Sequence, residues 1–214
     1  MNYWRATLFI GSLIVTGCTT TQIDERRQYA ASISEGESIA VLGRRHNSNY
    51  ETEPDFINCI GKGIEKTNVR VIPELELMNE LYPWFEPRTA PLKLARLQRL
   101  MNIPEFTDKI EQLKLEYVIW IDGSTETTDS AGSVSCAIGP GGAGCLGFGT
   151  WDDDSTYEAT VWDLDAMKSI ATISAEAEGT SYMPAVIVPV PLIARVQAAA
   201  CDALSVQLQQ LFAE

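Results

Sequence analysis

The first eighteen residues constrain everything that follows them. Arg5 precedes an apolar stretch, Ala6 to Val15, and the segment closes on Val15-Thr16-Gly17-Cys18. The apolar run is about a dozen residues, whereas a membrane-spanning helix needs roughly 20. It has the length of the hydrophobic region of an export signal. An exported chain folds in an oxidising compartment, where cysteines pair. The remaining 196 residues therefore have to satisfy a disulfide framework as well as a core. With 45% hydrophobic and 21% charged residues, the chain is not an acidic disordered polymer and can bury a core as one domain. A formal charge of −13 leaves no basic footprint for nucleic acid.

Small residues followed directly by Cys18 resemble the lipobox of bacterial lipoproteins. The resemblance implies cleavage before Cys18, a diacylglyceryl group on its sulfur and an acylated new N-terminus. Several acyl chains anchor stably, at about 0.8 kcal/mol per buried CH₂. The residue after Cys18 is Thr19 and not Asp, which in that family implies sorting to the outer membrane, facing the periplasm. Loss of residues 1–17 removes Arg5 and no acid, so the mature body carries −14. Such a body is repelled by anionic head groups. Residues 18–37 read as a lipidated tether, with a short helical stretch around Ile23 to Ser32.

Cysteines 59, 136, 145 and 201 remain, and four cysteines allow three pairings. Cys136 and Cys145 bracket the Gly-rich Ala137–Gly144, while Cys59 and Cys201 each fall on the apolar face of an expected helix. The pairs 136–145 and 59–201 are expected. The second joins distant parts of the chain and should stabilise by a few kcal/mol. Zinc is disfavoured, because no CxxC occurs and His46 is the sole histidine.

Ser38–Leu42, Val69–Ile72 and Tyr117–Ile121 read as buried strands. Tyr157–Leu164 and Ser169–Gly179 alternate and make a hairpin around Asp163–Met167. Helices are expected over Pro54–Lys66, Glu74–Leu81, Ala90–Met101, Glu105–Leu113 and Leu192–Phe212, the last with Cys201, Leu204, Leu208 and Leu211 stacked. Gly61 and Gly63 weaken the first of these by about 1 kcal/mol each, which points to close packing there. The order β-α-β-α-α-α-β-β-β-α gives an α/β (α+β) fold: a single sandwich domain, 38–214, in which helices cover a small mixed sheet and the C-terminal helix packs on it. Residues 125–154 form a Gly-rich insertion.

A lipobox is followed by Ile39-Ala-Val-Leu42, Val69-Arg-Val-Ile72, Glu116-Tyr-Val-Ile-Trp-Ile-Asp-Gly123 and the turn Val161-Trp-Asp-Leu-Asp-Ala-Met-Lys168. This order is similar to the fold shared by the curli-secretion channel lipoprotein, the lipoprotein activators of peptidoglycan synthases and the N-terminal domain of the Tol-system propeller protein. The likeness spans 38–123 and 155–212. It implies non-enzymatic work in assembly, transport or partner regulation. Two stretches depart from it: the helical region 83–113 is longer, and 125–154 is inserted.

No catalytic residue, cofactor, metal or small-molecule substrate is assigned. Gly139–Gly144 matches G-x-G-x-x-G in letters, but Pro140 lies inside it and no helix follows. Asp152–Asp154 with Glu158 lacks the spacing of a calcium loop. Glu116, Asp122, Glu126 and Asp129 read as strand-end acids, and Ser124, Ser130, Ser133 and Ser135 lack a nucleophile elbow. Arg44, Arg45 and His46 form the one basic spot. Partner contacts are expected at two aromatic groups, Tyr82, Trp84 and Phe85 between prolines, and Phe148, Trp151 and Tyr182. The resulting expectation is an outer-membrane lipoprotein that acts as a non-catalytic accessory or assembly factor on envelope proteins. A self-assembling export channel, hence a homo-oligomer, is the alternative, and an envelope hydrolase comes third.

Overall fold

The computed structural model describes residues 19–44, 52–86, 89–140 and 142–213. Cys18, Arg45 and His46 lie outside the described residues, as does everything before Cys18. The elements run β1 (Thr19–Arg27), β2 (Ser38–Gly43), α1 (Pro54–Glu65), β3 (Arg70–Ile72), α2 (Glu74–Glu80), α3 (Leu94–Leu100), α4 (Pro104–Leu113), β4 (Leu115–Gly139), β5 (Gly142–Asp163), β6 (Lys168–Pro189) and α5 (Val196–Ala213).

All six strands join one mixed sheet in the order β1-β6-β5-β4-β2-β3. β4, β5, β6 and β1 are antiparallel neighbours, and β2 lies parallel to both β4 and β3. Crossovers through α1 and through α2–α4 are what parallel pairing requires. β2 and the start of β4, Leu115 to Ile121, are buried on both faces, so they read as apolar runs and not as alternation.

Two cores form, one on each face. On the first, α1 and α5 pack on Ile39, Val41, Tyr117, Ile119, Tyr157 and Ala159. On the second, α2–α4 cover Ala40, Leu42, Val118, Trp120 and Trp162. The expected α+β sandwich with its C-terminal helix on the sheet is therefore present. Gly63 shows why α1 tolerates glycine: a Cβ there would collide with the Ser205 side chain of α5, so the two helices approach backbone to side chain. Gly61 has no such neighbour, since a Cβ would meet Val71 at an ordinary 3.5 Å.

Two expectations change. The residues read as a tether with a helical stretch instead supply β1, paired residue by residue with β6 from Thr19–Gly179 to Arg27–Ala171. Its sequence, TTTQIDERR, offers no apolar face; the main-chain ladder and its exposed edge position suit a polar strand. The Gly-rich insertion, to which the sequence assigns no element, is continuous strand. β4 and β5 stay paired through it to Gly139–Gly142, and β6 follows β5 as far as Ile187. Beyond Ser124, β4 runs on for about 50 Å as one side of a three-stranded arm, at about 3.3 Å per residue.

Candidate functional site

The arm begins where the helices stop. At its root Gly123 adopts φ +136, and a Cβ there would strike the Thr156 carbonyl, so only glycine lets the two strands stay this close. Beside it lies a polar hub that the sequence did not announce. Glu53, just before α1, accepts from the Thr125 backbone N–H at 2.8 Å and from the Tyr157 hydroxyl at 2.9 Å. Gln197 of α5 donates to the same hydroxyl at 3.3 Å. Thr125 Oγ1 lies 2.9 Å from it and 2.6 Å from Ser155 Oγ. The Tyr157 ring stacks on Phe56, with centroids 3.5 Å apart. Burial pushes the Tyr157 phenol up to about 12, against the opposing hydrogen bonds from Thr125 and Gln197, so it is a neutral donor. The hub ties β4, β5, α1 and α5 together at the point where the arm leaves the body. Alternation around Tyr157 was legible; the length of β4 that brings Thr125 to it was not.

Above the root, strand alternation sorts the charges. Tyr157 and Ala159 face the first core, so Asp152, Asp154 and Glu158 lie on the other face. The register sets Asp122 opposite Glu158, Glu126 opposite Asp154, Asp129 opposite Asp152 and Asp154 opposite Glu178. Like charges directly opposite are mutually unfavourable. Asp122, Ser124, Glu126, Asp154, Thr156 and Glu158 line an open cavity of about 530 Å³ on this face. Asp153 points the other way and accepts from Thr127 Oγ1 at 2.7 Å. The three consecutive aspartates are thus split between faces, and among the described residues no acidic or histidine group is arranged to hold a metal ion. Glu116 lies at the opposite end of β4, where burial first, and then Glu37, Asp163 and Asp165, raise its carboxyl. Arg44 pairs with Asp122 at 3.8 Å, so the described part of the basic spot faces this acidic row.

Charge then ends abruptly. Residues 130–139, 142–151 and 180–189, ten on each strand, contain no charged side chain. Gly139–Gly142 makes the tip, so the G-x-G-x-x-G letters serve a hairpin turn, with a strand on either side. Cys136 and Cys145 are register partners and are bridged. The Cys59–Cys201 bridge joins α1 to α5 in the body, across 142 residues of sequence. Both expected pairs are present.

The two aromatic groups fare differently. Phe148 and Tyr182 meet on the arm, with ring centroids 6.2 Å apart and both substantially exposed. Trp151 lies on the opposite face of the arm, one register step further toward the root. In the other group only Tyr82 is free, at 63% exposure. Phe85 is 1% exposed and stacks on Phe106 and Trp120, and Trp84 packs edge-on against Phe106 at 5.6 Å. Phe85 is a core residue and not a partner contact, because Phe106 and Trp120 bury its ring.

β4 has one more property. Its body end pairs with β2 only as far as Ile121 opposite Gly43, Glu53 takes the Thr125 backbone N–H, and among the described residues no strand pairs with that edge from Glu126 to Gly139. The opposite border of the arm is partly occupied: β1 flanks β6 up to Gly179, and Tyr182 pairs with Leu192 where the chain turns back. No helix among the described residues is long and apolar enough to cross a membrane, which leaves strands unaddressed.

No protein-family model matches this chain, and no curated protein matches it. Among solved structures it is similar to the PelC dodecamer from Paraburkholderia phytofirmans, in two crystal forms. One of these, a point variant of PelC, aligns over 91% of this chain and 100% of its own, at 9% identity and a TM-score of 0.44. The other aligns over 90% and 97%, at 8% identity and a TM-score of 0.44.

Proposed function

We propose that the chain is a lipid-anchored protein of the outer membrane, facing the periplasm, that works by assembly and not by catalysis. One observation carries this reading: a body braced by two cores and a disulfide projects an arm whose β4 edge, among the described residues, has no strand beside it from Glu126 to Gly139. A bare strand edge is a template for another chain. The charged residues that usually blunt such an edge are confined here to its root. Accessory contacts with envelope proteins use this edge together with the exposed rings of Phe148 and Tyr182 and the half-buried Trp151 on the other face.

A second reading, the self-assembling export channel, is favoured by one specific feature. Each of three strands presents ten uncharged residues, and a membrane-crossing strand needs about 9–11. Copies that join edge to edge would leave no edge unpaired in lipid.

The test is the native mass of the full-length, lipidated protein, crosslinked in cells and extracted in mild detergent. A complex with other envelope proteins supports the accessory role, and a large ring of one chain moves the protein to the channel reading. A monomer that crosslinks to nothing overturns both. Loss of function from a single Asp or Ser substitution in a stably folded protein would count against non-catalytic work altogether.

A further inference from the structure

The Cys59–Cys201 bridge is not sealed inside the core that it braces. Both cysteines line an open groove of about 750 Å³ between α1 and α5. Cys201 is 1% exposed, whereas Cys59 is only half-buried, so one sulfur of the pair is within reach of solvent. Gly63 belongs to the same contact. Having no side chain, it lets Ser205 lie close against α1, and the Ser205 hydroxyl sits 3.8 Å from Cys201 Sγ. A bridged sulfur carries no hydrogen, so the hydroxyl is the donor. The groove is also balanced in charge, on a chain of −13: Lys62 and Lys66 offset Asp55 and Asp202 along its walls. An incoming thiolate is an anion, and it is not repelled here as it is along the acidic row of the arm.

We propose that this groove is a thiol–disulfide exchange site, at which a dithiol oxidoreductase opens and closes the Cys59–Cys201 bond in the folded protein. The partner's thiolate attacks Cys59 Sγ, the accessible sulfur, and forms a mixed disulfide with it. The Sγ–Sγ bond breaks and its electron pair leaves on Cys201, where the Ser205 hydroxyl donates to the new thiolate. The partner's second thiol, as thiolate, then attacks the partner's own sulfur in the mixed disulfide and releases Cys59. Two electrons have passed from the dithiol to the bridge, and the two protons of the dithiol end on Cys59 and Cys201. The same steps in reverse make the bond.

Position in the fold singles out this bridge and not the other. Cys136 and Cys145 are register partners nine residues apart, so the hairpin itself brings them together. Cys59 and Cys201 are 142 residues apart and meet only when α1 packs on α5, and the groove is what leaves a sulfur reachable after that packing. The bond also staples together the two helices that hold the Tyr157 hub, since Glu53 directly precedes α1 and Gln197 lies in α5.

The full-length protein, in mild detergent and without denaturant, is exposed to increasing dithiothreitol, quenched in acid, alkylated and mapped by mass, which follows each cysteine pair separately. Reduction of Cys59–Cys201 should rise in proportion to the reagent and change less than about twofold in urea well below the unfolding transition. A rate that levels off with reagent and climbs with urea in step with global unfolding overturns the proposal, because the bond then opens only in the unfolded chain. A CxxC oxidoreductase whose second cysteine is replaced by serine should be captured on Cys59. Capture on Cys201, or on neither, overturns the proposal as well. Ser205→Ala should slow reduction by about three- to tenfold with the urea dependence unchanged, because the leaving sulfur loses its donor. A serine that only supported the packing would do the opposite, since loosened helices speed the reaction, and a faster or unchanged rate overturns the assignment of Cys201 as the leaving sulfur.

Discussion

The same three strands lead two different lives in this molecule. In the body all three strands are buried on the α1–α5 face, and on the other face α2–α4 cover β4 and the Trp162 end of β5. In the arm they keep the same pairing with no helix over them, and most side chains of β4 beyond Thr125 are exposed. The body is held by burial. The arm is held by its main-chain ladder, the hub at Tyr157 and the Cys136–Cys145 bridge. A sheet can therefore outrun its core, provided that its root is fixed and its tip is clamped. The two regions should respond to substitution in opposite ways.

The largest difference is expected from truncation. Trp120→Ala removes a 1% exposed side chain between Phe85 and Trp162 and should cost about 3–5 kcal/mol. Leu146→Ala on the arm should stay within about 0.5 kcal/mol. Urea denaturation of both variants measures this directly, and equal losses would abolish the distinction between body and arm.

The disulfides come next. Replacing Cys59 and Cys201 by Ala should lower global stability by about 2–5 kcal/mol, because that bridge closes a loop of 142 residues within the core. Replacing Cys136 and Cys145 should leave the global midpoint nearly unchanged and speed amide exchange at the tip alone. A matching fall in both would mean that arm and body unfold as one unit.

Tyr157→Phe probes the joint between them. It leaves the Glu53 carboxylate short of a donor and should cost about 1–3 kcal/mol. Its alkaline signature is specific. The folded phenol titrates near 12 and the unfolded one near 10, so the native state holds the proton more tightly. The stability that this group supplies is complete below pH 10 and is lost as pH rises from about 10 to about 12. The variant should show a shallower decline over that window. The smallest effect is expected at Glu116. Its carboxyl is raised by burial and by Glu37, Asp163 and Asp165, so its contribution falls as pH climbs past the ordinary carboxylate range. Glu116→Gln should raise the melting midpoint slightly at neutral pH and not at pH 4.

What was legible follows the same division. Wherever burial writes a pattern, the sequence could be read: Ile39–Leu42, Tyr117–Ile121 and the Leu204, Leu208, Leu211 ladder all announce their elements, and the element order from β2 onward is as expected. The arm writes no such pattern. Between Ala131 and Thr150, Gly, Ser and Ala carry neither alternation nor apolar periodicity, because no core lies against them; pairing with neighbouring strands makes them extended. β1 is silent for the same reason. Phe85 misled in the opposite sense: prolines on both sides suggest an exposed loop, yet the residue is buried beneath it. The Tyr157 hub needed five residues from 53 to 197 to converge, and no local motif encodes that.

The placement of β1 and of the Cys59–Cys201 bridge has a consequence for biogenesis. The chain is synthesised N-terminus first, but β1 pairs with β6, the last strand to be made, and Cys59 waits for a partner in α5. Neither closure can happen until nearly everything between has emerged. For most of its delivery the polypeptide carries an orphan strand and a free thiol. Escorts that hold nascent chains, and an oxidant that acts late, would govern the yield of this protein more than the strength of its finished core.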